Sequence, residues 1–200
     1  MNLSFSTRGW GDLSWDEMID AAVDMKFTGI EVYNLFKFPG LTDRGGPFHK
    51  HKIAATVRQL KDQKLSIPCL DTSLDLSEST ANADILADMM HIAHDLRVPY
   101  VVGWASRDNE TMIRDNLDRL LPMAEEMDVC LLIKTSGIYA DTGKLRHLLE
   151  SYASDFTGAL WDMHHPYRDF DESADTTIKT WEPMSSMFIC GTPTTRTPTI

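Results

Sequence analysis

The chain of 200 residues is poor in cysteine, poor in basic charge and free of long apolar runs. Its three cysteines, Cys69, Cys130 and Cys190, lie far apart and show no CxxC spacing. That argues against a disulfide framework and a thiolate zinc site, and it fits a reducing compartment. Nineteen Lys and Arg stand against 30 Asp and Glu, a net charge of −11. Such an acidic body repels a phosphate backbone, so no nucleic-acid partner is expected. No apolar run approaches the roughly 18 residues of a membrane helix, so no membrane partner is expected either. The opening MNLSFSTRGWGD has no basic region followed by an apolar run. No signal peptide is therefore expected, and the cytoplasm is the expected location. Neither GxGxxG after the first strand nor GxxxxGK(S/T) anywhere is present, which removes the main support for dinucleotide and P-loop readings.

What is present is a regular alternation of short apolar runs with longer amphipathic segments. Strands are predicted at 3–6, 29–33, 65–70, 99–103, 129–133 and 158–162. Helices are predicted at about 14–25, 51–63, 81–96, 109–127, 142–153 and 172–181. Ser14 with Glu17 three residues on forms a capping-box signature, and Met18, Ala21, Ala22 and Met25 follow at helical spacing. In the third helix Ile85, Met89, Ile92 and Leu96 share the expected inward face. Near-continuous apolar strands indicate a parallel sheet covered on both sides. Six βα units of about thirty residues fit an α/β fold, either a doubly wound sheet or a (β/α)8 barrel. The barrel is preferred, because Glu31, Tyr33, Asp71, Trp104, Lys134, Asp162, His164 and His165 all collect near strand ends that a barrel turns to one face.

Within LWDMHHPYR (160–168), Asp162 ends a strand and His165 follows three residues later. A carboxylate oxygen and an imidazole nitrogen so placed can share one divalent ion, Mn²⁺, Mg²⁺, Co²⁺ or Zn²⁺. The alternative is that Asp162 caps the following turn while His164 and His165 pack there. Glu31 is either a general base facing substrate or a strand-end residue bonded to a neighbouring loop. Tyr33 and Trp104 either wall a sugar pocket or plug the barrel top, and Arg168 either clamps an anion or pairs with Asp169 or Asp171. His49 and His51 fall in a loop, 36–52, expected to overhang the mouth. His91 and His94 are expected in solvent.

GIEVYN, IPCLDTS, LLIKTSGIYADT, ALWDMHHPYR and the unit spacing together resemble the sugar phosphate isomerase/epimerase family of xylose isomerase-like barrels, over residues 1–183. The resemblance implies a barrel that assists proton transfer α to the carbonyl of a small sugar with a divalent metal. It implies metal ligation by Asp162 and His165, catalytic candidates Glu31, Lys134 and His164, and substrate contacts from Tyr33, Trp104 and Arg168. Lys134 departs from the pattern, standing where relatives carry a ligating Glu. An ammonium cannot ligate a cation and repels one. Lys134 would then contact a substrate anion, carry a proton, or mark an impaired metal site; the remaining reading is a lysine reaching out to solvent. Endonuclease IV-like DNA repair on the same fold conflicts with the charge of −11.

Residues 184–200, MSSMFICGTPTTRTPTI, break the pattern, with no acidic residue, no lysine and five threonines. Read one base earlier, with a T before the Met184 codon, suitable codons can encode YVKHVHLRDSDDPNAYD, which contains the HVH of the family's seventh strand. The expectation is a partial barrel of about six units, 1–183, followed by a frameshifted tail. Weak or absent metal binding, a catalytically impaired protein, open edges at the first and sixth strands, and homo-oligomers through those edges follow from it.

Overall fold

The computed structural model describes residues 2–10, 12–35 and 40–182, and the backbone of 188–191. Seven parallel strands lie in simple sequential order. They are β1 (Ser4–Ser6), β2 (Gly29–Tyr33), β3 (Cys69–Asp75), β4 (Tyr100–Ala105), β5 (Cys130–Gly137), β6 (Thr157–Asp162) and β7 (Phe188–Gly191). Seven α-helices alternate with them among the described residues: α1 (Trp15–Asp24), α2 (Ile53–Asp62), α3 (Thr80–Leu96), α4 (Glu110–Met127), α5 (Thr142–Tyr152), α6 (His164–Phe170) and α7 (Ala174–Trp181). The architecture is an incomplete (β/α) barrel, as the alternation predicts.

Local chemistry accounts for the boundaries. Ser14 accepts from the Glu17 amide, and the Glu17 carboxylate takes the Ser14 N–H at 2.8 Å, so the capping box forms. Asn109, Asp141 and Ser173 cap α4, α5 and α7 in the same way. Six of the helices end at or beside a non-glycine residue in the left-handed region: Lys26 (φ 59), Lys64 (φ 57), Arg97 (φ 60), Asp128 (φ 53), Ala153 (φ 45) and Asp171 (φ 51).

Three expectations need correction. The third strand starts at Cys69 instead of Leu65; 65–68 contribute one isolated bridge, Ser66 to Gly29, because Pro68 has no N–H for the ladder. The buried face of α3 runs through Leu86, Met90 and Ala93 as well as Met89 and Leu96, while Ile85 and Ile92 sit at its margin. The sixth strand is not an edge: β7, inside the segment expected to leave the βα rhythm, pairs with it in register Ala159↔Phe188 to Asp162↔Gly191. Carbonyls and amides along β6 are thereby satisfied, and β1 and β7 bound the sheet. The rest of 183–200 lies outside the described residues. The short helix α6 was not expected, since seven residues leave little periodicity to read.

Alternation along the strands separates two interiors. Ile30, Val32, Leu70, Val101, Leu131, Ile133 and Ala159 face outward into the main core under the helices. Cys69, Val102, Leu132 and Leu160 face inward and form a small apolar floor inside the curve of the sheet. The next inward layer toward the strand C-termini is polar and carries the candidate site.

At the end of β5, Gly137 adopts φ +62 and ψ −130, a conformation essentially closed to other residues. A Cβ there would overlap the carbonyl oxygen of Ala105. Gly137→Ala is expected to cost about 3 kcal/mol, read as a lowered urea midpoint with an unchanged m-value.

Candidate functional site

A cleft of about 430 Å³ opens above this polar layer. Arg8, Tyr33, Asp71, Ser73, Trp104, Lys134, Ser136, Gly137, Asp162, His164, His165, Arg168 and Asp169 line it. Of the eight site residues predicted from sequence, seven reach the cleft; Glu31 lies just behind, two residues before Tyr33 on β2.

The centre of the cleft is an ion pair between the Lys134 ammonium and the Asp71 carboxylate. Their side chains are only 19% and 4% exposed, so Lys134 does not reach out to bulk solvent. Burial works against the ammonium, but Asp71, its hydrogen bond and the charges of Glu31 and Asp162 outweigh it and hold Lys134 above the usual lysine value. Glu31 moves the opposite way from a paired carboxylate. Burial and then the Asp71 charge raise its carboxyl, against a hydrogen bond from Ser6, the Lys134 charge and the Cys69 thiol, which donates at 3.8 Å. Burial, with the Glu31 charge behind it, also pushes the Cys69 thiol well up.

Asp162 is held at the end of β6 by Thr135, whose hydroxyl accepts its N–H at 2.8 Å and donates to its carbonyl at 3.3 Å. Its Oδ1 accepts the His164 amide at 3.1 Å, so it does cap the following turn. Its Oδ2 lies 3.7 Å from His165 Nε2. On the other side of that ring, Arg168 Nη2 lies 2.9 Å from Nδ1. The same Nδ1 also lies 3.4 Å from Asp169 Oδ2, so the ring is held between the guanidinium and two carboxylates. Arg168 is further held by both oxygens of Asp169, at 2.5 and 2.8 Å. Its expected pairing with Asp169 is present, at the lip of the cleft.

The aromatic walls are fixed as well. The Arg8 guanidinium carbon sits 4.7 Å from the Tyr33 ring centroid, and Trp104 Nε1 donates to the Ser73 carbonyl at 3.2 Å. His49 and His51, 5.1 Å apart, do not line the cleft, and His94 Nδ1 lies 2.7 Å from the Met127 carbonyl. Sequence reasoning noted Asp71 only as a residue near a strand end. Its place at an inward position of β3, level with Tyr33, is what makes it the partner of Lys134.

The family profile described as Xylose isomerase-like TIM barrel matches residues 19–197, and the chain belongs to that family. Solved structures with the same fold include the probable 3-DHS dehydratase AsbF from Bacillus anthracis, at 15% identity and TM-score 0.70, covering 94% of this chain and 71% of that one. The 3-keto-D-glucoside 4-epimerase YcjR from E. coli matches at 11% identity and TM-score 0.73, over 96% and 78%. IolI, solved with a zinc atom bound, matches at 14% identity and TM-score 0.72, over 96% and 72%. No curated protein matches the chain. No helix among the described residues is long and apolar enough to cross a membrane.

The residues present do not fit a divalent ion. Among the described residues no three His, Cys, Asp or Glu side chains converge as a ligand set. Asp162 and His165, with Oδ2 and Nε2 3.7 Å apart, supply two donors of suitable type, and two ligands alone do not make a metal site. Lys134 places a positive charge at the same layer.

Lys134→Met leaves the Asp71 carboxylate buried and unpaired, and is expected to cost about 3–5 kcal/mol. Adding Asp71→Leu restores much of that, so the double-mutant cycle in urea shows a coupling of roughly 2 kcal/mol. A second expectation concerns pH. The folded chain binds the Glu31 proton more tightly than the unfolded chain, so stability falls as pH rises from the unfolded carboxyl value through the folded one. Glu31→Gln removes that loss: its urea midpoint at neutral pH lies above wild type, and the gap closes below about pH 4. A variant equally unstable at neutral pH contradicts this.

Proposed function

We infer that the cleft receives a small polyhydroxylated carbonyl compound of the sugar type and transfers a proton on the carbon next to its carbonyl, in the manner of an isomerase or epimerase. The observation that carries this reading is the buried Lys134–Asp71 pair opening between the aromatic faces of Tyr33 and Trp104. Epimerase and dehydratase neighbours on the same fold support the reaction class. The charge of −11 favours a small molecule over nucleic acid.

In this reading the sugar lies against Tyr33 and Trp104. Lys134 donates a hydrogen bond to the carbonyl oxygen and stabilises the negative charge that develops there as the α-proton leaves. His164, at the start of α6 and on the cleft wall, accepts that proton. Returning it to the former carbonyl carbon, while the neighbouring hydroxyl proton passes to the former carbonyl oxygen, gives the isomer. An epimer forms when a second acid or a water across the cleft protonates the original carbon from the opposite face and His164 releases its proton to solvent. Asp71 keeps the ammonium charged and aimed. Glu31, its carboxyl raised chiefly by burial, lies behind them.

One observation favours a second reading, a sugar-binding barrel without turnover: Lys134 and Asp71 already engage each other. Incubation with a panel of ketoses, aldoses and inosose-type compounds in D2O, followed by NMR, separates the two. Turnover predicts deuterium at the carbon α to the carbonyl, slowed about 100-fold or more in Lys134→Met. Binding without exchange supports the second reading, and neither binding nor exchange refutes both.

A further inference from the structure

Asp71 and Asp162 line the barrel mouth together with the Lys134 ammonium, and Glu31 lies just behind them on β2. Strand register sets this arrangement. Tyr33 pairs with Asp71, Asp71 with Val102, Val102 with Leu132, and Lys134 with Leu160, so Lys134 stands one inward step above the level of Asp71, and Asp162 one inward step above Lys134. Lys134 alone among the four side chains carries a positive charge, and it lies in the wall of the cleft. Carboxylates such as Asp71 and Asp162, on two strands and lining one concave point, are the donor type that hard divalent ions take. Here the point is taken by a covalently attached cation, paired with the most buried of the three carboxylates whose role is charge neutralisation.

We propose that Lys134 is the protein's own cation: its ammonium, paired with Asp71 and flanked by Glu31 and Asp162, stands where a divalent ion would stand and makes the cleft independent of one. A tethered ammonium has three donors and a single charge. It binds an oxygen of the substrate without coordination geometry, and it has no dissociation equilibrium with the medium. His165 is drawn to the lip of the cleft, where Arg168 Nη2 and Asp169 Oδ2 lie 2.9 and 3.4 Å from its Nδ1. The proposal concerns the site of the functional reading but does not require turnover.

The test is calorimetric titration with MnCl2 and with ZnCl2, together with thermal unfolding, on the full chain. Wild type is expected to show no saturable one-to-one binding and no change in Tm with Mn²⁺, Zn²⁺ or EDTA. Lys134→Glu replaces the cation with a carboxylate beside Asp71 and Asp162. It is expected to bind one Mn²⁺ and to gain about 5 °C or more in Tm at saturation. Adding Asp162→Asn to it should abolish that gain. If Lys134→Glu does not fold, Lys134→Gln carries the same expectation with weaker binding, because it removes the charge at little change in volume. One-to-one binding by wild type that Asp162→Asn removes overturns the proposal. So does folded Lys134→Glu or Lys134→Gln that takes up no Mn²⁺. A chain that exchanges no deuterium into any sugar yet behaves as expected in these titrations loses the functional reading and keeps this one.

Discussion

A lysine ammonium held inside a sheet is the constraint on which the rest of the mouth depends. Removing a charge from water costs several kcal/mol even after relaxation, so the surroundings must compensate. Asp71 does so directly, and Glu31 and Asp162 add their fields from β2 and β6. The apolar floor of Cys69, Val102, Leu132 and Leu160 lies on the side away from the cleft and keeps water from entering beneath the pair. The electrostatics consequently has a direction: the free hydrogens of the ammonium face the cleft, where Tyr33 and Trp104 leave room for a ligand.

Around that centre the polar groups are fixed by neighbours more than by their own preferences. Thr135 on β5 grips the backbone of Asp162 on β6, so the two strands that carry Lys134 and Asp162 cannot slide against each other. Asp75 performs a similar task on the other side. It accepts from Ser77 at 2.8 and 2.5 Å and from the Ser106 amide at 3.2 Å, joining the loops after β3 and β4. Burial raises the Asp75 carboxyl, yet the hydrogen bonds from Ser106 and Ser77 outweigh it and hold it below the usual carboxylate range. A site supported in this way is preorganised, which is what a fixed positive charge needs if it is to act on a substrate oxygen.

Much of the fold was legible because its signals are local. GIEVY is strand by composition, Ser14 and Glu17 announce α1, and Ile113, Leu117, Leu120, Leu121 and Ala124 are buried on α4 as their spacing predicts. Errors arose where a tertiary partner decides. Pro68 shifts β3 toward its C-terminus, and β7 gains its strand character from the ladder it completes on β6. The site was legible by residue type, in that carboxylates, histidines and aromatics near strand ends do meet. Its chemistry was not, because the difference between a metal centre and an ammonium centre rests on Lys134 finding Asp71, 63 positions earlier. No local pattern carries that information. The position of His165 likewise follows from Arg168 and Asp169 folding back over it.

Six helices stop on a lysine, arginine, aspartate or alanine where glycine would be at ease. Each left-handed residue bears roughly 1–2 kcal/mol of steric cost. Together they approach the scale of the whole net stability of an ordinary domain, about 5–15 kcal/mol. The protein therefore carries a substantial steric cost at its helix C-termini, in most cases where a helix turns back into a strand. Its margin is set at those turns as much as in its core.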